Sequence, residues 1–285
     1  MDYQQLWRQL ARVYGEGEAK AIARMVYEVR YGLSFSDLLM GRDASVSQTD
    51  VEQIAERLMR QEPVQYVLGQ ADFCGRTLVV NSHVLIPRPE TEELCRWIVS
   101  ACADVRTGIG DDFQVLDVGT GSGCIAITLA AEIPMAKVTA WDISEQALAV
   151  ARENACRAMV DVSFDQVDVL DMPSASRDGS VTSEYDVIVS NPPYIVDKER
   201  AGMAPNVLEY EPHTALFVPD DDPLLFYRVI AGYGQKVLKE DGWLYFEINP
   251  LYVDALRELL GAMSYHDIMV KTDQYGKQRM MRAQR

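Results

Sequence analysis

Apolar side chains recur at helical spacing through the first sixty residues. Spacings of three and four place side chains on one face of an amphipathic helix. The last of these rows follows Ser47–Asp50, whose residue types are typical of a helix N-cap. The apolar positions are Leu6, Leu10, Val13, Ile22, Val26, Val29, Val51, Ile54, Ala55 and Leu58. The pattern predicts a small helical domain over residues 1–64.

The pattern changes over residues 65–90. Short β-like pieces at Phe73 and Thr77–Val80 alternate with the turn residues Gly69 and Gly75. Short runs of aromatic and β-branched residues bounded by glycines are typical of hairpins. We predict a β-hairpin linker here.

Helical stretches alternate with apolar strands from residue 91 onward. The predicted strands are Val115–Val118, Val138–Trp141, Val187–Ser190 and Trp243–Ile248. This alternation predicts a parallel sheet flanked by helices. Near the end, Tyr265–Val270 and Gln278–Met281 surround a turn-rich stretch and predict an antiparallel hairpin. The polar stretch Ser174–Glu184 is predicted to be a surface loop.

The composition restricts the protein class and its partners. No run among the 285 residues approaches the ~20 apolar residues that span a bilayer, and the start lacks a signal-peptide core. The net charge of -16 opposes a nucleic-acid partner, because such binders normally carry a basic face. The five cysteines include no Cys-x-x-Cys pair, which favours free thiols over a metal site. We expect a cytoplasmic monomer without a metal, a membrane or a stable nucleic-acid partner.

A glycine-rich turn follows the first predicted strand of the sheet. Glycines at a strand-to-helix turn let the backbone approach a ligand closely. A dinucleotide fingerprint would place its third glycine at Cys124, so the spacing argues against NAD, and a Walker lysine is absent. The candidate cofactor-binding residues are Gly119, Thr120, Gly121, Ser122 and Gly123. A purely structural turn is the alternative.

Asp142 ends the next predicted strand. An acid at this place can accept hydrogen bonds from both ribose hydroxyls of a nucleotide-like cofactor. The alternative is an N-cap for the helix predicted over Ser144–Arg157, a role that Ser144 could fill instead. We assign Asp142 to the ribose.

The tetrapeptide Asn191-Pro192-Pro193-Tyr194 directly follows a strand, at the edge where open α/β sheets bind ligands. An amide or exocyclic amine is a poor nucleophile because its lone pair is delocalised. The Asn191 side-chain oxygen and a main-chain carbonyl of the turn can accept its two N–H bonds. The prolines fix that backbone, and Tyr194 can pack against the flat target group. A rigid turn without a catalytic role is the alternative.

At these two motifs the chain resembles class I S-adenosylmethionine-dependent methyltransferases, and three further segments resemble the release-factor glutamine N5-methyltransferases. The segments are Glu62–Gly69, Val84–Glu92 and Glu211–Leu216, with Tyr227 and Arg228 beyond them. The resemblance implies a Rossmann-like seven-stranded α/β sheet at residues 91–285, behind the β-hairpin linker and a helical substrate-recognition domain. It also implies S-adenosylmethionine as cofactor and the glutamine of the Gly-Gly-Gln loop of peptide-chain release factors as substrate.

The resemblance assigns roles to single positions as well. It places residues 119–123 and Asp142 at the cofactor and residues 191–194 at the target glutamine, with Asn191 next to both. It places Asp168 and Val169 at the adenine edge. We expect Asp117 to reach the methionine end of the cofactor or to brace the loop.

Other interpretations stay open at this point. The tetrapeptide could present an adenine or guanine amino group, which the acidic charge opposes, or a glutamine of a ribosomal protein. A cofactor-binding protein without catalysis is a third class. Arg88 and Glu211 either line the target pocket or form a structural ion pair. We assign no role to His83, His213 and His266.

Overall fold

The computed structural model describes residues 1–105, 113–171 and 185–285. These residues form two compact units. One comprises Met1–Gln70 and Met203–Tyr210, and the other comprises Ala71–Gly202 and Glu211–Arg285. The predicted loop at Ser174–Glu184 lies outside the described residues. No helix in the described ranges is long and apolar enough to cross a membrane.

Helices precede strands and then alternate with them along the chain. The helices are α1 (Tyr3–Leu10), α2 (Glu16–Tyr31), α3 (Phe35–Leu39), α4 (Gln48–Met59), α5 (Val64–Leu68), α6 (Pro89–Val105), α7 (Cys124–Glu132), α8 (Glu145–Ala158), α9 (Pro205–Tyr210), α10 (Leu225–Val237) and α11 (Val253–Ala262). The strands are β1 (Gln70–Phe73), β2 (Arg76–Val79), β3 (Phe113–Val118), β4 (Ala136–Asp142), β5 (Val162–Gln166), β6 (Tyr185–Ser190), β7 (Ile195–Val196), β8 (Phe217–Val218), β9 (Leu238–Glu247), β10 (His266–Thr272) and β11 (Gln278–Gln284).

Side chains cap the N-termini of helices in the helical unit. Asp2 accepts the Gln5 N–H at 2.7 Å and Gln5 accepts the Asp2 N–H at 3.0 Å, a reciprocal pair that satisfies two orphan donors of α1. Ser47 caps α4 in the same position as the sequence predicts. Residues 203–210 join this unit, where the Tyr210 hydroxyl donates to the Arg60 carbonyl at 2.8 Å. The buried core includes Leu6, Leu10, Val26, Tyr27, Val51 and Leu58.

Within the described residues, the second unit contains a seven-stranded sheet in the order β10-β11-β9-β6-β3-β4-β5. The strands β9, β6, β3, β4 and β5 run parallel, and β11 and β10 complete the edge in antiparallel pairing. The parallel sheet and the final hairpin predicted from the sequence are therefore confirmed. The edge strand β5 was not indicated by its residues, because only its partly buried face carries apolar side chains.

Two layers of helices cover the sheet. Val115 and Val187 project into a cluster with side chains of α6, α7 and α8. Leu116 and Ile188, one residue further on, project into a second cluster with side chains of α10 and α11. Successive strand residues point to opposite faces, so a sheet buried on both faces reads as a continuous apolar run. This burial explains why the central strands were the clearest in the sequence.

The hairpin of β1 and β2 turns at Cys74 and Gly75, with φ of 47° and 74°. Two consecutive positive φ values are the signature of a type I′ turn. Asn154 of α8 accepts the Val79 N–H at 2.6 Å and donates to the Ser122 carbonyl at 2.9 Å. The hairpin is thereby fixed to the glycine turn. The domain boundaries expected at residues 64 and 90 stay predictions, since the compact units divide after Gln70.

Candidate active site

A cavity of about 340 Å³ opens at the carboxyl edge of the sheet. Strands β3, β4, β5 and β6 end side by side there, and residues at each of the four ends line it. Open parallel sheets bind ligands at this edge, and the volume lies in the range of small-molecule sites. The strand-end lining residues are Val118, Asp142, Val167, Asp168, Ser190 and Asn191.

The glycine turn at residues 119–123 forms one wall of the cavity. Gly119, Gly121 and Gly123 have φ of 76°, 55° and 81°, a region that favours glycine. A Cβ on Gly119 or Gly121 would meet no atom within 4 Å, so these two glycines leave open space. A Cβ on Gly123 would lie 2.9 Å from Ile127 Cδ1 and 3.1 Å from Ala151 Cβ. Gly123 therefore permits close packing of α7 and α8.

Asp117 is fully buried beneath this turn. Its Oδ2 accepts the Thr120 hydroxyl at 2.7 Å and the Ala126 N–H at 3.2 Å. Its Oδ1 has no hydrogen-bond partner among the described residues. Burial raises the pKa of Asp117 to about 7, against the opposing effect of these hydrogen bonds. Asp117 braces the loop, and its expected contact with a cofactor stays a prediction.

Asp142 connects the glycine turn to the start of α8. Its Oδ2 accepts the Gly121 N–H at 2.8 Å and its Oδ1 accepts the Ser144 N–H at 2.9 Å. Ser144 is the N-cap of α8, because its hydroxyl accepts the Ala147 N–H at 3.2 Å. Burial raises the pKa of Asp142, and the backbone N–H donors oppose this increase. The cap role belongs to Ser144, and the Asp142 carboxylate keeps acceptor capacity for a ligand beyond its backbone N–H donors.

Asp168 and Val169 line the same cavity after the end of β5. The Asp168 Oδ1 accepts the Leu170 N–H at 2.9 Å, which fixes the carboxylate at the start of a short 3₁₀ turn. Val169 packs on the apolar cluster of α10. Both residues could therefore contact the adenine of the cofactor, and this contact stays a prediction.

The tetrapeptide forms a second wall of the cavity, after the end of β6. Asn191, Pro192 and Pro193 line the cavity, while Tyr194 is absent from the described lining. The Asn191 Nδ2 donates to Thr91 Oγ1 at 3.3 Å, and the Tyr194 hydroxyl donates to Glu247 Oε1 at 3.1 Å. Burial raises the pKa of Tyr194. The expected packing of the Tyr194 ring on the target group stays a prediction, and the hydrogen bond to Glu247 holds the hydroxyl behind the lining residues.

One main-chain acceptor of the tetrapeptide is already used. Asn249 Nδ2 donates to the Tyr194 carbonyl at 3.1 Å. The Tyr194 carbonyl therefore keeps one lone pair, whereas no hydrogen bond described above uses the carbonyls of the earlier residues of the turn. Pro192 and Pro193 have no N–H and cannot donate to a ladder, so a regular β-strand does not continue through the turn.

The comparisons with known proteins agree with this geometry. A family model described as a methyltransferase domain matches residues 109–272, and one described as the PrmC N-terminal domain matches residues 3–69. The release factor glutamine methyltransferase of Bacteroides thetaiotaomicron is 45% identical over 279 residues, which cover 97% of this chain and 96% of the relative. The chain belongs to the release factor glutamine methyltransferase family.

Further relatives support the same family and fold. The release factor glutamine methyltransferase of Flavobacterium psychrophilum is 40% identical over 276 residues, covering 96% of this chain and 94% of the relative. Among solved structures, the hMettl16 catalytic domain in complex with MAT2A 3'UTR hairpin 1 superposes with a TM-score of 0.55 at 16% identity. The superposition covers 82% of this chain and 80% of the hMettl16 chain. At this low identity it supports the fold alone.

Several residues of this family member's site were not singled out by sequence reasoning. Thr91 and Glu247 contact the tetrapeptide although they are distant in the chain. Glu247 did carry a signal, since an acid that ends an apolar strand is costly to bury without a partner. Thr91 lies within the family-like segment Val84–Glu92, but a single threonine at the start of a helix does not by itself indicate a functional role. The aromatic lining residue Phe226 reads in the sequence as an ordinary helix position.

Arg88 and Glu211, for which the sequence left two roles open, form an ion pair. Arg88 Nη2 donates to Glu211 Oε1, and Glu211 Oε2 accepts the Ile86 N–H at 3.3 Å. The Glu211 side chain is 1% exposed, whereas Arg88 is partly exposed and lines the cavity. Glu211 therefore has a structural role, whereas the Arg88 side chain also faces the cavity. His83 also lines the cavity, and His266 lies outside it beside Asp267.

Proposed function

We propose that this chain transfers a methyl group from S-adenosylmethionine to the side-chain amide nitrogen of the glutamine in the Gly-Gly-Gln loop of peptide-chain release factors. The observation that carries the proposal is a single cavity with two different walls. The glycine turn and Asp142 form one part of its lining, and Asn191 with the two prolines forms another. A methyl donor and an amide acceptor can therefore meet in one enclosed space.

The residues of the loop wall suit the cofactor. Gly119 and Gly121 leave room beside the backbone, and Asp142 offers acceptor lone pairs for ribose hydroxyls. Asp168 and Val169, which line the cavity, would adjoin the adenine. When bound, S-adenosylmethionine supplies an electrophilic methyl group on a sulfonium. The spacing of the turn lacks the dinucleotide and Walker patterns, so we expect neither NAD nor ATP to compete.

The tetrapeptide wall suits a planar NH2 group. The Asn191 side-chain oxygen accepts one N–H of the target amide, and a carbonyl of the proline turn accepts the other. Holding both N–H bonds directs the nitrogen lone pair out of conjugation and toward the methyl. Because the wall is fixed before the substrate arrives, orientation supplies much of the rate increase.

The bond changes need no strong base from the chain. A C–N bond forms to the amide nitrogen while the methyl C–S bond breaks. The nitrogen then carries an acidic proton, which leaves to solvent through the open side of the cavity.

We also propose that the helical unit recognises the release factor, in the cytoplasm where both proteins act. Phe35, Leu39 and Met40 are 40%, 68% and 61% exposed, and exposed apolar groups mark interaction sites. Leu39→Ser should raise KM for the release factor severalfold with kcat unchanged. Met159→Ser, which alters a 91% exposed methionine in the other unit, is the matched control. Equal KM values for both variants would remove this segment from recognition.

The experiment that tests the function is a substrate competition. Purified release factors, ribosomal proteins and RNA are each incubated with the enzyme and isotopically labelled S-adenosylmethionine, and the labelled peptides are located by mass spectrometry. Label on the Gly-Gly-Gln glutamine is the expected result. Label confined to a ribosomal protein or to RNA would replace the proposed substrate.

A further inference from the structure

A continuous hydrogen-bond chain runs behind the tetrapeptide. Asn191 Nδ2 donates to Thr91 Oγ1 at 3.3 Å, and Thr91 Oγ1 donates to Glu247 Oε2 at 2.6 Å. The other oxygen of Glu247 accepts the Tyr194 hydroxyl at 3.1 Å. The chain therefore begins at the cavity wall and ends at a carboxylate at the end of β9.

The direction of this chain is set by the number of protons available. A carboxylate can only accept, and a threonine hydroxyl has one proton to donate. Because Thr91 gives its proton to Glu247, its oxygen can only accept a hydrogen bond from Asn191. The Asn191 side chain must then present its NH2 to Thr91, and its Oδ1 is left to face the cavity.

We propose that Thr91 and Glu247 are positioning residues that select the amide orientation of Asn191 needed for methyl transfer. This inference rests on the proposed function, in which the Asn191 oxygen accepts an N–H of the target amide. The two ends of an asparagine amide have nearly the same shape, so a flip about χ2 meets little steric resistance. A flipped Asn191 would present a donor to a donor, and the target nitrogen would lose its acceptor.

The surroundings make the selection stringent. Thr91 and Glu247 are each 2% exposed, so their hydrogen bond lies in a largely water-free environment, where it is stronger than at the surface. Burial raises the pKa of Glu247, and the hydrogen bonds from Thr91 and Tyr194 oppose the increase because they stabilise the carboxylate. Thr91 is also held by its backbone, since its N–H donates to the Arg88 carbonyl at 3.1 Å. The acceptor that Thr91 offers to Asn191 is thus fixed in place.

The first test compares threonine variants in steady-state methyl transfer to a release factor. Thr91→Val keeps the shape and removes the hydroxyl, so kcat should fall about tenfold, the value of one hydrogen bond. KM and the dissociation constant for S-adenosylhomocysteine should stay unchanged. Thr91→Ser should restore most of kcat. Thr128→Val, which removes another buried hydroxyl on α7, is the matched control and should transfer at the wild-type rate.

A double-variant comparison separates positioning from general support. If Thr91 acts through Asn191, Thr91→Val should cost nothing further in the Asn191→Ala protein. A full additional tenfold loss there would show that Thr91 supports the fold rather than the asparagine, and would overturn the proposal. Wild-type kcat in Thr91→Val would overturn it as well.

A readout without turnover distinguishes this inference from the proposed function. In the ¹⁵N-labelled full chain without cofactor, the Asn191 side-chain NH2 resonances are identified by their loss in Asn191→Ala. They should shift in Thr91→Val and in Glu247→Gln, whose amide can donate to Thr91 and reverse the chain. Unshifted resonances would overturn the inference even if the enzyme is active. A wild-type enzyme that leaves release factors unmethylated while these shifts occur would instead contradict the proposed function.

Discussion

The two walls of the cavity are built in different ways. The loop wall consists of residues 119–123 and Asp142, with Asp117 buried beneath it, and it is held by backbone conformation and by carboxylates that accept N–H groups. The amide wall consists of residues 191–194, and it is held by side chains from α6 and β9. The loop wall is therefore a local structure, whereas the amide wall depends on the tertiary fold.

This difference separates binding from turnover. Changes in the loop wall disturb main-chain geometry and should affect cofactor affinity or stability. Changes in the amide wall leave the backbone in place and should affect only how the target nitrogen is oriented. A variant in one wall should therefore change either cofactor affinity and stability or turnover, but not both.

The largest effect is expected at Asn191. Asn191→Ala removes the acceptor for the target amide and leaves residues 119–123 and Asp142 intact. By analogy with the loss of one preorganised polar group, kcat should fall at least ~10²-fold, a barrier increase of about 2.7 kcal/mol. Single-turnover transfer at saturating cofactor measures this effect. A variant with wild-type turnover and an unchanged melting curve would show that the tetrapeptide is only structural.

Asp142 tests the loop wall. Asp142→Ala removes charge-assisted bonds to ribose, each worth about 1.5–3 kcal/mol, so the dissociation constant of S-adenosylhomocysteine should rise at least ~10-fold. The Gly121 and Ser144 N–H groups also lose their acceptor, so the melting temperature should fall modestly. Calorimetry of this variant beside Asp165→Ala, an exposed acid on β5, makes the comparison. Equal affinities would exclude Asp142 from the cofactor site.

The loop wall could be recognised in the sequence because each of its parts is a local pattern at the end of a strand. The glycines of residues 119–123 and the acid at Asp142 each follow a strand, and a pattern of strand, turn and helix suffices to place them together. The amide wall was recognised only in part. Asn191 stood out within its tetrapeptide, but Thr91 and Glu247 are 100 and 56 positions away and meet it only through the order of the strands and α6. Such partners follow from the fold rather than from a local pattern.

Gly123 tests whether backbone conformation holds the loop wall. Gly123→Ala combines a φ of 81° with a Cβ placed 2.9 Å from Ile127 Cδ1, so it should destabilise the fold by about 1–2 kcal/mol. Gly261→Ala in the last turn of α11 meets no atom within 4 Å and should be neutral or stabilising. Urea unfolding measures both. An equally stable Gly123→Ala protein would contradict the role of left-handed backbone in this wall.

The smallest effect concerns the buried acid of the loop wall. The pKa of Asp117 is raised by burial to about 7, whereas an aspartate in the unfolded chain titrates near ~3.9. The folded state therefore binds the proton more tightly, and the stability that this proton supplies is lost as pH rises through about 7. From pH 6 to pH 8 the loss from this one group should be about 1.4 kcal/mol.

Asp117→Asn isolates that contribution. The asparagine cannot titrate, and its Oδ1 can still accept hydrogen bonds from Thr120 and Ala126, so its stability should depend less on pH by about the same 1.4 kcal/mol. Glu247, whose pKa is also raised by burial, is present in both proteins and cancels in the difference, whereas the charge of Asp142 acts on Asp117 and is part of the measured effect. Urea unfolding at pH 6, 7 and 8 gives the two pH profiles. Parallel profiles would mean that Asp117 is ionised throughout this range, and the loop wall would then hold a buried charge at neutral pH.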